Sequence, residues 1–359
     1  MGFKDVVIVS AVRSAIGSFG GIYKDISASE LGTEIAKEAL RRAQIDPSLI
    51  EDVILGHCMM RTDEINIARV IGLKAGIPHT ATGMTIQRQC ASGMQAIFSG
   101  MQQIMTGDAE AVLAGGVENM SNIPYILKDA RWGGRMGHLQ ATDALLEGLT
   151  DPLGHFHMGI TAENLATEFS ISREEQDLLA ETSHTRAIAA IDAGRFKEEI
   201  HPYLHKTRKG EQIIETDEHP RRGTTRETLA KLKPAFKKDG TVTAGNASGI
   251  NDGAAMMVLM SEERARSLGA PVLAKITAYS KAGVEPERMG YGPVPAVKKL
   301  LQRAGKSLAD LQLIEVNEAF AAQYLACEKG LELNRDITNV NGSGISLGHP
   351  VGATGCRIT

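Results

Sequence analysis

Four cysteines, Cys58, Cys90, Cys327 and Cys356, are scattered through a chain of 359 residues. No pair has the C-x-x-C spacing of a zinc or redox site, and a chain this long needs no disulfide staples. A reducing compartment is implied, where a lone cysteine can act as a nucleophile. Cys90 has the best setting for that role. Gln87-Arg-Gln-Cys-Ala-Ser-Gly leads into Met94, Ile97, Phe98, Met101 and Ile104, spaced as one helix face. A cysteine at a helix N-terminus meets unpaired N–H groups and the positive dipole end, which favour its thiolate. Ala91, Ser92 and Gly93 are small enough to admit a substrate. The competing reading is a buried structural cysteine.

A proton acceptor stands in Gly342-Ser-Gly-Ile-Ser-Leu-Gly-His-Pro-Val-Gly-Ala-Thr-Gly, which puts His349 on a turn ahead of a helix. A histidine there can take a thiol proton; a lone one is more often structural, but its pairing with Cys90 at the corresponding place in the other repeat favours the proton acceptor. Gly344-Ile-Ser-Leu-Gly also fits the G-x-S-x-G pattern, but the helix is predicted to begin after Pro350 and not at Ser346, which argues against a serine nucleophile. Asn317-Glu-Ala-Phe follows an apolar run; its amide can hold a water or an oxyanion, or cap a helix. Glu118, in Gly115-Gly-Val-Glu-Asn-Met-Ser, reads as structural or functional alike. Gly245-Asn-Ala-Ser-Gly-Ile-Asn-Asp-Gly is a small-residue loop suited to a slender ligand. His155 and His157 lack a third ligand at metal spacing, so no metal is expected.

These residues need a scaffold. Hydrophobic residues make up 43% of the chain and charged residues 23%, the balance of a folded globular protein. A net charge of -4 with 4% aromatics offers no basic field for nucleic acid. No apolar run approaches the ~18 residues of a membrane span, and the N-terminus carries no secretory apolar core. The reading is a cytoplasmic protein with neither nucleic-acid nor membrane partners.

Runs at 5–9, 53–56 and 111–114 read as buried strands, and 31–43 as an amphipathic helix. Their alternation implies a largely parallel sheet covered on both faces. From 121 to 240 the pattern turns polar, with helices predicted over 158–169 and 173–193, the second opened by a Ser172/Glu175 capping box, and a basic stretch at 206–209 with Arg221 and Arg222. Strands are predicted again at 254–260, 274–279, 313–316 and 337–340. Ala39-Leu-Arg-Arg-Ala is echoed by Leu300-Leu-Gln-Arg-Ala, and strand, turn and helix recur around Cys90 and His349. Two copies of one α/β unit, separated by an insertion, account for the length. The second copy reaches Thr359 about two turns into its helix, so the expectation is a chain without the segment that would follow.

In order along the chain, the cysteine box, Gly-Gly-Val-Glu-Asn-Met-Ser, His157-Met-Gly-Ile-Thr-Ala-Glu-Asn, Gly-Asn-Ala-Ser-Gly, Asn-Glu-Ala-Phe and Gly-His-Pro resemble the boxes of the thiolase family, from Ala11 to the last residue. The resemblance implies an α/β thiolase fold: two pseudo-repeated halves in αβαβα layers with a helical loop-domain insertion. The halves would be 1–120, completed by 250–270, and 271–359, around a coenzyme A-binding loop domain at 121–249. It implies Claisen condensation of two acetyl-CoA to acetoacetyl-CoA, or the reverse thiolysis, in a homotetramer, with CoA thioesters as substrates and no permanent cofactor. Cys90 would carry the acyl group, and His349 with an Asn317-held water would form an oxyanion hole. Leu149, His157, Arg221, Ser248, Ala319 and Phe320 would contact coenzyme A, with Met158 over the acyl methyl group. Two departures stand out. Gln87 replaces the usual Asn, and the family's second cysteine is absent, Cys356 occupying a position normally filled by a small residue. The polypeptide is therefore expected to be acylated at Cys90 without completing condensation. Longer-chain 3-ketoacyl-CoA thiolysis and a non-catalytic lipid or CoA carrier are the alternatives. A ketoacyl synthase would want histidine in place of Asn317.

Overall fold

The computed structural model describes residues 4–207 and 210–359. Strand β1 (Val6–Arg13) shows how the centre is built: Val6 and Ile8 enter one apolar cluster while Val7 and Val9 enter another. Alternate residues of an extended chain face opposite ways, so one strand supplies two cores. Helix α1 (Ala28–Ala43) covers one face, opened by a capping box in which Ser27 accepts from the Glu30 N–H and Glu30 from the Ser27 N–H. There follow β2 (Asp52–Gly56), α2 (Ile67–Lys74), β3 (Thr82–Ile86), α3 (Ser92–Thr106) and β4 (Ala111–Asn119). Helix α3 covers the other face through Ala96, Ile97, Met101 and Ile104.

The insertion carries α4 (Met158–Glu168), α5 (Arg173–Asp192) and the hairpin β5 (Tyr203–Thr207)/β6 (Gly210–Ile214). The predicted Ser172/Glu175 box opens α5. Of the basic stretch at 206–209, residues 208 and 209 lie outside the described residues. The insertion is pinned to the sheet by Arg13, buried and bidentate to Asp217 at 2.7 and 2.9 Å, with the Ile16 N–H on the same carboxylate at 2.8 Å. The chain then adds β7 (Asn251–Ser261), β8 (Ala274–Lys275), α6 (Pro293–Ala304), α7 (Ala321–Leu331) and α8 (Val351–Arg357).

The main sheet runs β8-β1-β7-β4-β2-β3, with the short strand Gly17–Ser18 beside β7. Only β4, β2 and β3 are parallel; β7 is antiparallel to both β1 and β4. The expectation of a largely parallel sheet is thus corrected. The insertion leaves the sheet after Asn119 and re-enters at Asp252, its register partner, so the returning strand must run the opposite way.

The predicted strands at 313–316 and 337–340 are also corrected, since they meet in a single bridge, Ile314 to Thr338. Asn339 adopts φ 50°, and its side chain replaces the ladder, accepting from the Val316 N–H at 2.9 Å and donating to the Val316 carbonyl at 2.8 Å. Of 274–279, only Ala274–Lys275 pairs, against β1. A second core, built from Ala162, Leu165, Val294, Ala321, Tyr324 and Leu325, joins α4, α6 and α7.

Candidate active site

Cys90 precedes α3, whose N-cap position, Ala91, has no side-chain cap. Ser92 closes the turn instead, its Oγ accepting from the Arg88 N–H at 2.7 Å and donating to the Gln89 carbonyl at 2.6 Å. Gln89 sits at φ 45°, a left-handed conformation that costs a side-chain-bearing residue ~1–2 kcal/mol. The Cys58 thiol also donates to its carbonyl, at 3.1 Å, which helps to hold that conformation.

Half-buried Cys90 packs against an apolar cluster of Cys58, Met59, Met120, Leu145 and Val351, as does Leu149. Val351 opens α8, two residues after His349, so one apolar cluster joins the cysteine turn to the helix behind the histidine. Gly93 serves this junction and not a substrate: a Cβ there would lie 2.8 Å from both the Gly352 carbonyl and the Cys356 nitrogen. The two repeats meet helix against helix.

His349 is buried, and its N–H donates to Asn251 Oδ1 at 2.9 Å. Its Nδ1 lies 2.7 Å from Thr354 Oγ1, while Nε2 is buried with no partner among the described residues. Burial, reinforced by the Arg357 charge, lowers its pKa to about 3. Burial pushes the Cys90 thiol up to about 11, against a lowering backbone hydrogen bond and with the Glu118 charge adding to the rise. These shifts run against the expected thiolate: desolvation raises the Cys90 thiol and lowers the His349 imidazole, favouring the neutral form of each.

Asn317 does not cap a helix, since α7 begins at Ala321 with Phe320 in the N-cap position. Its Oδ1 is buried and unpartnered among the described residues. A Cβ on Gly344 would approach that oxygen to 2.5 Å. Glu318 fixes the segment, accepting from Ser183 Oγ at 2.6 Å and Asn339 Nδ2 at 3.1 Å. Ser346 lies within the turn Gly344–Leu347, with Oγ 2.8 Å from Ser183, so it is no exposed elbow nucleophile.

Several of the residues carried over for coenzyme A meet in pairs. The Met158 N–H donates to the Leu149 carbonyl at 3.0 Å, and His157 caps α4 by accepting the Gly159 N–H at 3.0 Å. The His157 ring stacks on Phe236 at 4.7 Å, and Phe236 meets Phe320 edge-on at 5.9 Å. The Ser248 N–H donates to the Ala319 carbonyl at 2.9 Å. Arg221 is exposed, its N–H donating to His184 Nδ1 at 3.2 Å.

Glu118, Asn251, Phe236 and Thr354 organise these groups without having been assigned roles from sequence. Asn251 and Thr354 lay inside the boxes already quoted. Phe236, in Lys-Pro-Ala-Phe-Lys-Lys, belongs to no periodic pattern that would flag it. No three His, Cys, Asp or Glu side chains among the described residues are grouped to hold a metal.

The family profile "Thiolase, N-terminal domain" matches residues 6–263 and "Thiolase, C-terminal domain" residues 270–359. The C-terminal match reaches Thr359, so the expectation of an absent C-terminal segment is not borne out. The chain is 51% identical over 357 residues to an acetyl-CoA acetyltransferase of Pseudomonas aeruginosa, covering 99% of this chain and 91% of that protein. The Bacillus anthracis acetyl-CoA acetyltransferase structure superposes with a TM-score of 0.98 at 55% identity, covering 99% of this chain and 91% of that one. A human mitochondrial 3-ketoacyl-CoA thiolase in complex with CoA gives 0.95 at 45% identity, covering 99% and 89%.

Proposed function

The chain belongs to the thiolase family, and from that premise we propose that it is an acetyl-CoA acetyltransferase. It joins two acetyl-CoA into acetoacetyl-CoA and free CoA, or runs the reverse thiolysis, through an acyl-cysteine. The observation that carries this reading is the apolar junction holding Cys90 beside the helix that follows His349, whose Nε2 is buried and unpartnered among the described residues.

In the first half-reaction, Cys90 Sγ bonds to the thioester carbon as its proton passes to His349 Nε2. The bond from carbon to the CoA sulfur then breaks, and the leaving sulfur takes the proton. The starting pair is neutral, so charge develops only along the reaction path, where Asn317 and the newly formed Nε2–H can stabilise it. We assign the α-proton abstraction of the second half-reaction to none of Cys58, Cys327 or Cys356. The first two thiols donate to the carbonyls of Gln89 and Gly290, and Cys356 lies buried under α3.

Residues 121–249 supply the coenzyme A lining in this reading, with Arg221 toward the phosphates and Met158 over a short acyl group. The short-chain choice over a longer 3-ketoacyl-CoA rests on Met158. A homotetramer is supported by exposed apolar side chains on the same insertion, Trp132 at 89% and Met136 at 97%. Four unpaired cysteines support a reducing, cytoplasmic setting, and the reaction a place in lipid metabolism.

Treatment with acetyl-CoA should add one acetyl mass increment and release CoA thiol. Cys90→Ser should abolish that increment while Cys58→Ser keeps it. Acetyl-CoA should form from acetoacetyl-CoA and CoA. Binding of CoA thioesters without either product would replace the enzyme reading with the carrier one.

A further inference from the structure

His349 Nδ1 lies 2.7 Å from Thr354 Oγ1, and that hydroxyl lies 3.0 Å from the Pro350 carbonyl one turn back along α8. His349 Nε2, on the other side of the ring, is buried without a partner among the described residues. A neutral imidazole has one N–H to place. On Nε2 it would be a buried donor with no acceptor, which costs the full desolvation penalty of an N–H. On Nδ1 it donates to Thr354 Oγ1, the hydroxyl passes its own proton to the Pro350 carbonyl, and only a lone pair is left unpaired. A threonine on a helix makes this bond to the i−4 carbonyl readily, and its branched Cβ limits where the oxygen can go.

We propose that Thr354 is a positioning residue that holds His349 as the Nδ1–H tautomer, so that Nε2 offers its lone pair to the Cys90 thiol. This rests on the acyl-transfer reading above and assigns the nitrogen that does the work. The thiol proton moves to Nε2 as sulfur bonds to the acyl carbon. The cationic ring then donates from both nitrogens, Nδ1 to Thr354 and Nε2 to the departing CoA sulfur. Release of the Nε2 proton returns the starting tautomer. The adjacent backbone is fixed as well, the His349 N–H by Asn251 and the Gly352 N–H by Glu118, which leaves the ring proton to Thr354 alone.

The test is 15N NMR of protein labelled at histidine, with the His349 signals assigned by their loss in His349→Gln. Wild type and Thr354→Ser should show a protonated-type Nδ1 and a bare-type Nε2. The isosteric Thr354→Val should mix or invert that pattern and slow Cys90 acetylation about 100-fold with KM for acetyl-CoA little changed. A protonated-type Nε2 in the wild type overturns the proposal, as does wild-type acetylation by Thr354→Val. If the nitrogen pattern is as stated but Cys90 takes no acetyl group, the acyl-transfer reading fails and the tautomer assignment stands.

Discussion

The carboxylate of Glu118, at the end of β4, accepts the backbone N–H of Gly352 in the first turn of α8 at 2.9 Å. It also accepts from the Cys58 and Met59 N–H groups at 3.0 and 3.1 Å, and it is fully buried. A side chain from one half thus caps the helix behind His349 while holding the chain that packs beneath Cys90.

Glu118→Ala leaves those three N–H groups buried without acceptors. At ~1–3 kcal/mol for each orphaned donor, partly recovered by relaxation, the expected loss is on the order of 4 kcal/mol. Glu118→Gln keeps one acceptor oxygen and should lose about half as much. Urea unfolding curves of the three proteins check this, and an alanine variant within 0.5 kcal/mol of wild type would contradict it.

Burial lowers the pKa of His349 to about 3 and that of His184 to about 4, and lowers those of His157 and His219 as well. The sign follows from proton binding. Between these values and the unfolded value near 6.5 the unfolded chain holds more protons, so stability is complete above that value and is lost as pH falls through the window. Glu315, raised to about 7, and Asp252, raised to about 6, act in the opposite sense. The clean readout is therefore a difference: His349→Gln should flatten the dependence between pH 6.5 and 4 by up to about 1.4 kcal/mol per pH unit. Unfolding free energies of both proteins across that range decide it, and parallel curves would contradict the lowered value.

Most strands and helices of the first half were legible because their apolar periods are strong, although α2 (Ile67–Lys74) was not read. Val6 to Val9 form an unbroken apolar run, and in the insertion Ser172 stands three residues ahead of Glu175. Strand direction was not legible, because it is set by where a long insertion re-enters the sheet, and Asp252 lies far from its partner Asn119 in sequence. The second half was misread for a local reason: at Asn339 a side chain does the pairing that backbone does in a strand. In the site, Cys90, His349 and Asn317 were identified as candidates by type and box, but their charge states were not. The helix-terminus argument for a Cys90 thiolate considers the dipole alone, while the folded protein adds desolvation, the largest contribution, and a smaller one from Glu118. Thr354 was overlooked because its partner Nδ1 belongs to a residue just outside its own helix.

Arg221 gives a prediction that separates binding from chemistry. It is exposed, its backbone is fixed to His184, and the neighbouring Arg222 pairs with Asp192 at 2.9 Å. If Arg221 meets the phosphates of coenzyme A, its contribution is a charge-assisted hydrogen bond worth ~1.5–3 kcal/mol, or about 10- to 150-fold in affinity. Arg221→Ala should raise KM for acetyl-CoA by about that factor and leave kcat for the same substrate nearly unchanged, since binding remote from the sulfur is equal in ground and transition states. Acetyl-pantetheine lacks the nucleotide, so its kinetics should not respond to the substitution. Arg222→Ala, which removes a paired cation, should alter neither substrate's KM more than about twofold. Initial rates for both thioesters with both variants make the comparison. Equal losses on acetyl-CoA and acetyl-pantetheine would move Arg221 from a phosphate contact to a structural support of α5.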